Sequence, residues 1–164
     1  MFVAHDVAFG VPFVTAQPRL MDLLASRALA SASRAAYDEG LARAGPGLAS
    51  PARLTRVRSL PPAHGVDRVT AGLRWEAVGP SAGLLPVLDA DVTLAPDGRV
   101  GSRLELAGVY RFPFVDLNGD PRSAVTGQVA NTTVRALLHA MAGYLSGSGT
   151  GWPSGGFPAS ADAL

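Results

Sequence analysis

Residues 120–145, DPRSAVTGQVANTTVRALLHAMAGYL, decide the fold because they predict one long helix with a single apolar side. Asp120 has the character of an N-cap, and Pro121 suits the first helical position, where its missing N–H costs no hydrogen bond. At about 100° per residue, the apolar side chains occupy one broad face. They are Val125, Ala130, Val134, Leu137, Leu138, Met141 and Leu145. Gly147 follows as the expected end of the helix. Because the apolar face is broad, another part of the chain must cover it.

Three strand patterns before this helix predict a sheet that packs against its apolar face. Residues 66–78, 84–94 and 102–112 alternate apolar and polar side chains, so each strand buries one face and exposes the other. The connections are short, and Pro96-Asp97-Gly98 is a tight-turn signal. These features predict an antiparallel meander whose apolar face packs against the helix.

The first third of the chain predicts a strand followed by helices. Residues 2–11 alternate as a strand, and a helix is expected to begin near Pro18. A second helical segment spans residues 29–44 and is either continuous with the first or separated from it near residues 26–31. Residues 52–60 predict one further strand before the meander.

The order strand, helical pair, antiparallel meander and long helix predicts an α+β fold. We expect a curved antiparallel sheet of about five to seven strands wrapped around the C-terminal helix. The domain is expected to span residues 1–145, with a flexible tail rich in Gly, Ser and Pro at residues 146–164. A sheet that grips a helix tends to leave a gap, which predicts a ligand pocket between them.

Composition excludes several classes of function. The 164 residues have a formal net charge of +1, and their basic residues are scattered arginines without a single lysine, which does not support nucleic-acid binding. No cysteine is present, so a disulfide framework and a thiolate metal site are excluded. Neither a signal peptide nor a membrane-spanning run is apparent, and we expect a soluble cytoplasmic protein.

Four runs resemble the START-like, or SRPBCC, superfamily, which has the helix-grip fold. They are LRWEA at 73–77, PVLDADVTL at 86–94, LAGVYR at 106–111 and VRALL at 134–138. The likeness covers residues 2–145 and is to small bacterial members related to polyketide cyclase/dehydrase and lipid-transport proteins. It implies a cavity for a hydrophobic small molecule or lipid, and it supplies no catalytic motif and no cofactor.

The candidate ligand-binding residues are those expected to face each other across the sheet and the helix. They are Leu73, Trp75, Leu88, Leu106 and Tyr110 on the sheet, and Val134, Leu138 and Met141 on the helix. The same residues are equally consistent with an ordinary core. Trp75 and Tyr110 carry polar tips that need a partner when buried, so they are the best candidates for orienting a ligand.

Other polar patterns have simpler interpretations. The three histidines lack metal-ligand spacing, and no metal site is predicted. Asp89 and Asp91 share one strand face and are expected to form solvated ion pairs with arginines such as Arg74 or Arg103. Residues 116–120 begin like a calcium loop, but Pro121 stands where the loop requires glycine.

Three functions remain open from the sequence. The favoured hypothesis is non-enzymatic binding of a hydrophobic small molecule. The alternative is an enzyme of the cyclase/dehydrase or aromatase kind, with Tyr110 and His5 as proton donors. The third is a protein-interaction module, such as a homodimer formed through an exposed sheet edge.

Overall fold

A computed structural model describes residues 1–44, 55–78, 87–111 and 122–147. These ranges hold six strands and three helices. In chain order they are β1 (Phe2–Phe9), α1 (Phe13–Ala25), α2 (Arg27–Ala44), β2 (Thr55–Ser59), β3 (Ala63–His64), β4 (Val69–Ala77), β5 (Val87–Asp97), β6 (Gly101–Arg111) and α3 (Arg122–Ser146). The α+β class and the helical pair after the first strand are as predicted.

The strands form one antiparallel sheet in the order β1-β6-β5-β4-β2, with β3 also paired to β4. The predicted meander is confirmed as β4-β5-β6. The turn between β5 and β6 lies slightly later than expected, because Pro96 still pairs with Ser102. Strand β4 pairs with β5 only as far as Leu94. Pro96 lies beyond this pairing, so its lack of an N–H group costs no hydrogen bond with β4.

The inner face of the sheet carries the apolar half of each alternating pattern. Every one of its large side chains on the meander is at most 4% exposed: Val69, Leu73, Trp75, Leu88, Val92, Leu94, Leu104, Leu106 and Tyr110. The strand predicted from Val66 begins instead at Val69. Val66 is fully exposed in a bend between β3 and β4, where the Gly65 N–H donates to the Arg68 carbonyl over 2.8 Å.

Helix α3 has the predicted single apolar side. Val134, Leu137, Leu138, Met141 and Leu145 are each at most 1% exposed. The helix stops as expected at Gly147, which has a φ of +71° and donates its N–H to the Tyr144 carbonyl over 3.1 Å. The predicted cap at residues 120–121, and the tail beyond residue 147, lie outside the described residues.

The helical pair is two separate helices that meet at Ser26. The Ser26 hydroxyl accepts from the Ala28 N–H over 3.2 Å and donates to the Leu23 carbonyl over 3.0 Å, so it ends α1 and caps α2. Helix α1 starts at Phe13, five residues before the predicted start at Pro18. Its first bonds run from Thr15 and Ala16 to the Pro12 carbonyl, and Pro18 is accommodated inside the helix.

The helices form a layer over the inner face, with α3 against β1 and β6 and α2 packed alongside α3. Side chains from all three helices and from the sheet share one apolar core. No helix in the described ranges is long and apolar enough to span a membrane.

Candidate functional site

The structure places all eight predicted ligand-binding residues in one apolar core, five on the inner sheet face and three on α3. They are Leu73, Trp75, Leu88, Leu106, Tyr110, Val134, Leu138 and Met141, and none is more than 4% exposed. All eight belong to the same core cluster. Their burial is therefore established, while their role as ligand contacts stays a prediction.

The register of the sheet sets the shape of this inner surface. Trp75, Leu88 and Tyr110 are direct neighbours on β4, β5 and β6 and form a row of large side chains. The next row consists of Leu73, Ala90 and Gly108, so its side chains on β5 and β6 are small. A Cβ at Gly108 would lie only 2.4 Å from the Cβ of Ala90, so the two strands come unusually close there.

Tyr37 joins this surface from helix α2. Its ring contacts Trp75 edge to face, with ring centroids 5.4 Å apart and an interplanar angle of 76°. Tyr37 is 4% exposed, and sequence reasoning did not select it as a site residue. The available signal was that it is the one aromatic side chain of the Ala-rich segment 27–44.

Burial raises the pKa of both tyrosines of this cluster. Loss of water around Tyr37, reinforced by the charge of Asp38, raises the pKa of its phenol to about 12. Burial likewise raises the pKa of Tyr110 far above its ordinary value, and the neighbouring Tyr37 adds to the rise. At neutral pH the site therefore presents uncharged hydroxyls inside an apolar surface.

Thr133 of α3 supplies a third buried hydroxyl. A side-chain hydrogen bond between Thr133 and Tyr110 opposes the rise in the Tyr110 pKa. This contact is a weak one, because the Thr133 Oγ1 makes no hydrogen bond of normal geometry within the described structure. Gly40 of α2 covers it, since a Cβ built on Gly40 would lie 2.0 Å from the Thr133 Oγ1. Tyr37, Trp75, Tyr110 and Thr133 are called the hydroxyl–aromatic cluster below.

Three depressions lined by described residues all lie on the outside of the molecule. One of about 350 Å³ runs between α2 and α3 beside Glu39, Arg135 and His139. Another of about 480 Å³ crosses the outer sheet face at Leu60, Gly72, Asp91 and Ala107, and the third, of about 280 Å³, lies between α1 and the segment after β2. None of these three occupies the predicted position between the inner sheet face and α3.

His5 and Tyr110, the proton donors of the enzyme hypothesis, are not brought together. Tyr110 is buried, whereas His5 lies opposite Leu106 in the β1–β6 ladder and shares a 3.1 Å hydrogen bond with Asn131 at the sheet edge. Leu106 and Tyr110 are four positions apart on β6, which corresponds to about 13 Å along a strand.

The remaining polar predictions concern the surface. Asp89 accepts from Arg74 over 3.3 Å and also from Arg111, as expected for solvated ion pairs. Arg103 pairs with Asp6 and Asp97 instead of with Asp89 or Asp91. Within the described ranges, no three His, Asp or Glu side chains are grouped to hold a metal ion, and the calcium-loop pattern at 116–120 lies outside those ranges.

These elements define an α+β protein with the helix-grip arrangement: an antiparallel sheet, a helical pair after its first strand and a C-terminal helix packed across its inner face. Among the described residues, the buried aromatic side chains are those of the hydroxyl–aromatic cluster, and most of the other buried side chains are aliphatic.

Similar solved structures include the following two. The crystal structure of TTHA0849 from Thermus thermophilus has 16% identity and a TM-score of 0.43, over 92% of this chain and 100% of that one. The Zhui aromatase/cyclase from Streptomyces sp. R1128 has 14% identity and a TM-score of 0.39, over 88% and 93% of the two chains. No protein-family model matches the sequence, and no curated protein matches it. The class stated above rests on strand order and helix placement.

Proposed function

We propose that this chain binds a small, largely apolar molecule between the inner sheet face and the helix layer. The observation that carries the proposal is the hydroxyl–aromatic cluster, which gathers the buried aromatic rings of the described residues and three hydroxyls in one part of the core. Sites for small molecules are typically apolar and aromatic surfaces with a few well-placed polar groups.

The position of the cluster suits ligand entry. Trp75 lies near the end of β4, Leu88 near the start of β5 and Tyr110 near the end of β6. The three strands therefore present the cluster at the same end of the sheet.

None of the three depressions lies at this position, so we infer that a ligand enters by displacing part of the helix layer. We assign that movement to α2, because four of its buried residues have small side chains. Those residues are Ala32, Ser33, Ala36 and Gly40, all buried. Small side chains contribute little apolar area, which limits the cost of moving α2 at these four positions.

The proposal is tested with the Trp152→Phe variant, which leaves Trp75 as the sole tryptophan. Titration with 2-methylnaphthalene and with dodecanoic acid is followed at the indole N–H signal of Trp75 in proton–nitrogen correlation spectra. We expect a saturable shift of that signal with at least one probe. Absence of saturable binding, or saturable binding that leaves Trp75 unchanged, overturns the proposal.

A matched pair of variants controls for general loss of packing. Tyr37→Leu removes a ring from the cluster, whereas Tyr144→Leu removes a half-buried ring near the far end of α3. We expect Tyr37→Leu to weaken binding and Tyr144→Leu to leave it unchanged. Equal weakening by both would place the ligand elsewhere.

A further inference from the structure

The hydroxyl of Thr133 is in an unfavourable environment within the described structure. Thr133 is 0% exposed, and its Oγ1 has no hydrogen-bond partner of normal geometry within the described structure. Leaving a buried hydroxyl unsatisfied costs its lost hydration, and native proteins contain few such groups.

The helix does not satisfy this hydroxyl in the usual local way. Threonine inside a helix often donates to the carbonyl four residues earlier, which here belongs to Val129. That bond is absent. Valine has nearly the same shape and would fill this position without an unsatisfied group. Packing alone therefore does not explain why position 133 carries a hydroxyl.

The surroundings of Thr133 connect it with the proposed site. Tyr110, in the row of large side chains on the inner sheet face, is near enough for Thr133 to influence its phenol. The cover over the hydroxyl is Gly40, on the helix whose movement admits the ligand. Displacement of α2 would therefore uncover the Thr133 hydroxyl beside the aromatic rings.

Building on the proposed function, we propose that Thr133 is the polar contact of the bound molecule and selects ligands that carry a hydroxyl or carbonyl oxygen on an apolar body. Such an oxygen would give the Thr133 hydroxyl the hydrogen bond of normal geometry that it does not make within the described structure. A plain hydrocarbon of the same size fills the space but leaves the hydroxyl unsatisfied. The site would accordingly discriminate against the hydrocarbon.

The experiment compares 2-naphthol with 2-methylnaphthalene, which replace a hydroxyl by a methyl group on the same ring system. Affinities are measured by calorimetry for the unaltered chain and for Thr133→Val, Thr133→Ser and Thr132→Val. Thr132 is the matched control, because it is the neighbouring threonine and lines the outer groove between α2 and α3.

We expect the unaltered chain to prefer 2-naphthol by about tenfold, which corresponds to one well-formed hydrogen bond. Thr133→Val should lose that preference while still binding 2-methylnaphthalene, and Thr133→Ser and Thr132→Val should keep it. Thermal unfolding of Thr133→Val should occur at the same or a higher temperature, because the variant removes an unsatisfied group.

The outcomes separate this inference from the proposed function. If both probes bind and Thr133→Val keeps the full preference for 2-naphthol, the role of Thr133 is overturned while the binding function stands. If the unaltered chain binds the two probes equally, the inferred ligand class is overturned. If neither probe binds, the proposed function is overturned and this inference with it.

Discussion

Gly40 meets Thr133 at a contact that leaves no room for a side chain. A Cβ on Gly40 would lie 2.0 Å from the Thr133 Oγ1 and 3.1 Å from the Val129 carbonyl oxygen. Glycine is normally unfavourable inside a helix. Its presence in α2 is explained by the short distance to α3, and this contact also covers the unpaired hydroxyl.

We predict that Gly40→Ala destabilises the protein by about 2 kcal/mol, as expected when a methyl group is forced into a packed contact. Thr133→Ala in the same chain removes the atom at 2.0 Å, so the double variant should recover most of the loss. Urea unfolding of both single variants and the double variant measures the coupling. Strictly additive effects would show that the two residues do not share this contact.

Gly108 of β6 lies where a side chain would clash with the backbone of β5. A Cβ at Gly108 would lie 2.3 Å from the Asp89 carbonyl oxygen and 2.4 Å from the Cα of Ala90. Both are backbone atoms, so a changed rotamer cannot relieve the contact. The Ala90–Gly108 pair therefore allows a backbone path that a larger residue would prevent.

We predict that Gly108→Ala destabilises the protein by about 3 kcal/mol or more, because the strands themselves must separate. Gly10→Ala is the matched control, since a Cβ there meets no atom within 4 Å, and its effect should stay within about 0.5 kcal/mol. Equal unfolding midpoints for the two variants would contradict this account of β5 and β6.

Helices α1 and α3 are joined by a charged cap. The Nη1 of Arg19 donates to the Leu145 carbonyl over 2.6 Å, in the last turn of α3. A cation at a helix C-terminus also interacts favourably with the helix dipole. This contact links the first helix to the end of the last one, across 126 positions of the chain.

We predict that Arg19→Met lowers the free energy of unfolding by about 1 kcal/mol, since it keeps much of the aliphatic length and removes the charged donor. Arg34→Met is the control, because Arg34 is exposed on α2. Faster hydrogen exchange in the last turn of α3 should accompany the first change alone. Equal exchange in both variants would contradict the role of Arg19 as a cap.

At high pH, the stability of the folded protein depends on two buried phenols, those of Tyr37 and Tyr110. Helices α2 and α3 and the sheet together exclude water from Tyr37 and Tyr110, and this exclusion raises both pKa values. A raised pKa means that the folded state holds its proton more tightly than the unfolded chain. The resulting stability is fully present below the unfolded pKa of about 10 and is lost as the pH rises above it.

We therefore predict that the free energy of unfolding falls between pH 10 and about 12, the pKa of Tyr37 in the folded protein. Ultraviolet absorbance of phenolate, measured alongside urea unfolding, reports both quantities. Tyr37→Phe should reduce the slope of stability against pH in this range. A phenolate of Tyr37 that forms near pH 10 in the folded protein would contradict its burial in the cluster.

The faces of the long helix and of the meander strands could be predicted from the sequence, because each depends only on the local spacing of apolar residues. The buried face of α3, the alternation in β4, β5 and β6 and the order of the elements follow from repeats of 3.6 and two residues, which assign each side chain to a face. The start of α1 and the existence of β3 were missed. Helix α1 begins after Pro12, whose carbonyl accepts the first hydrogen bonds of the helix. Strand β3 has only two residues, which is too short to show an alternating pattern.

Residues 73, 75, 88, 106, 110, 134, 138 and 141 were identified from the alternating and helical patterns because each lies on the apolar face of its own element. Their convergence in one core, the contact of Tyr37 with Trp75 and the covering of Thr133 by Gly40 depend on how separate elements pack. Periodicity states which side of an element avoids water, but it carries no information on which atoms meet across an interface. Close packing of the whole chain sets those distances, and with them the one hydroxyl on which the inferred ligand specificity depends.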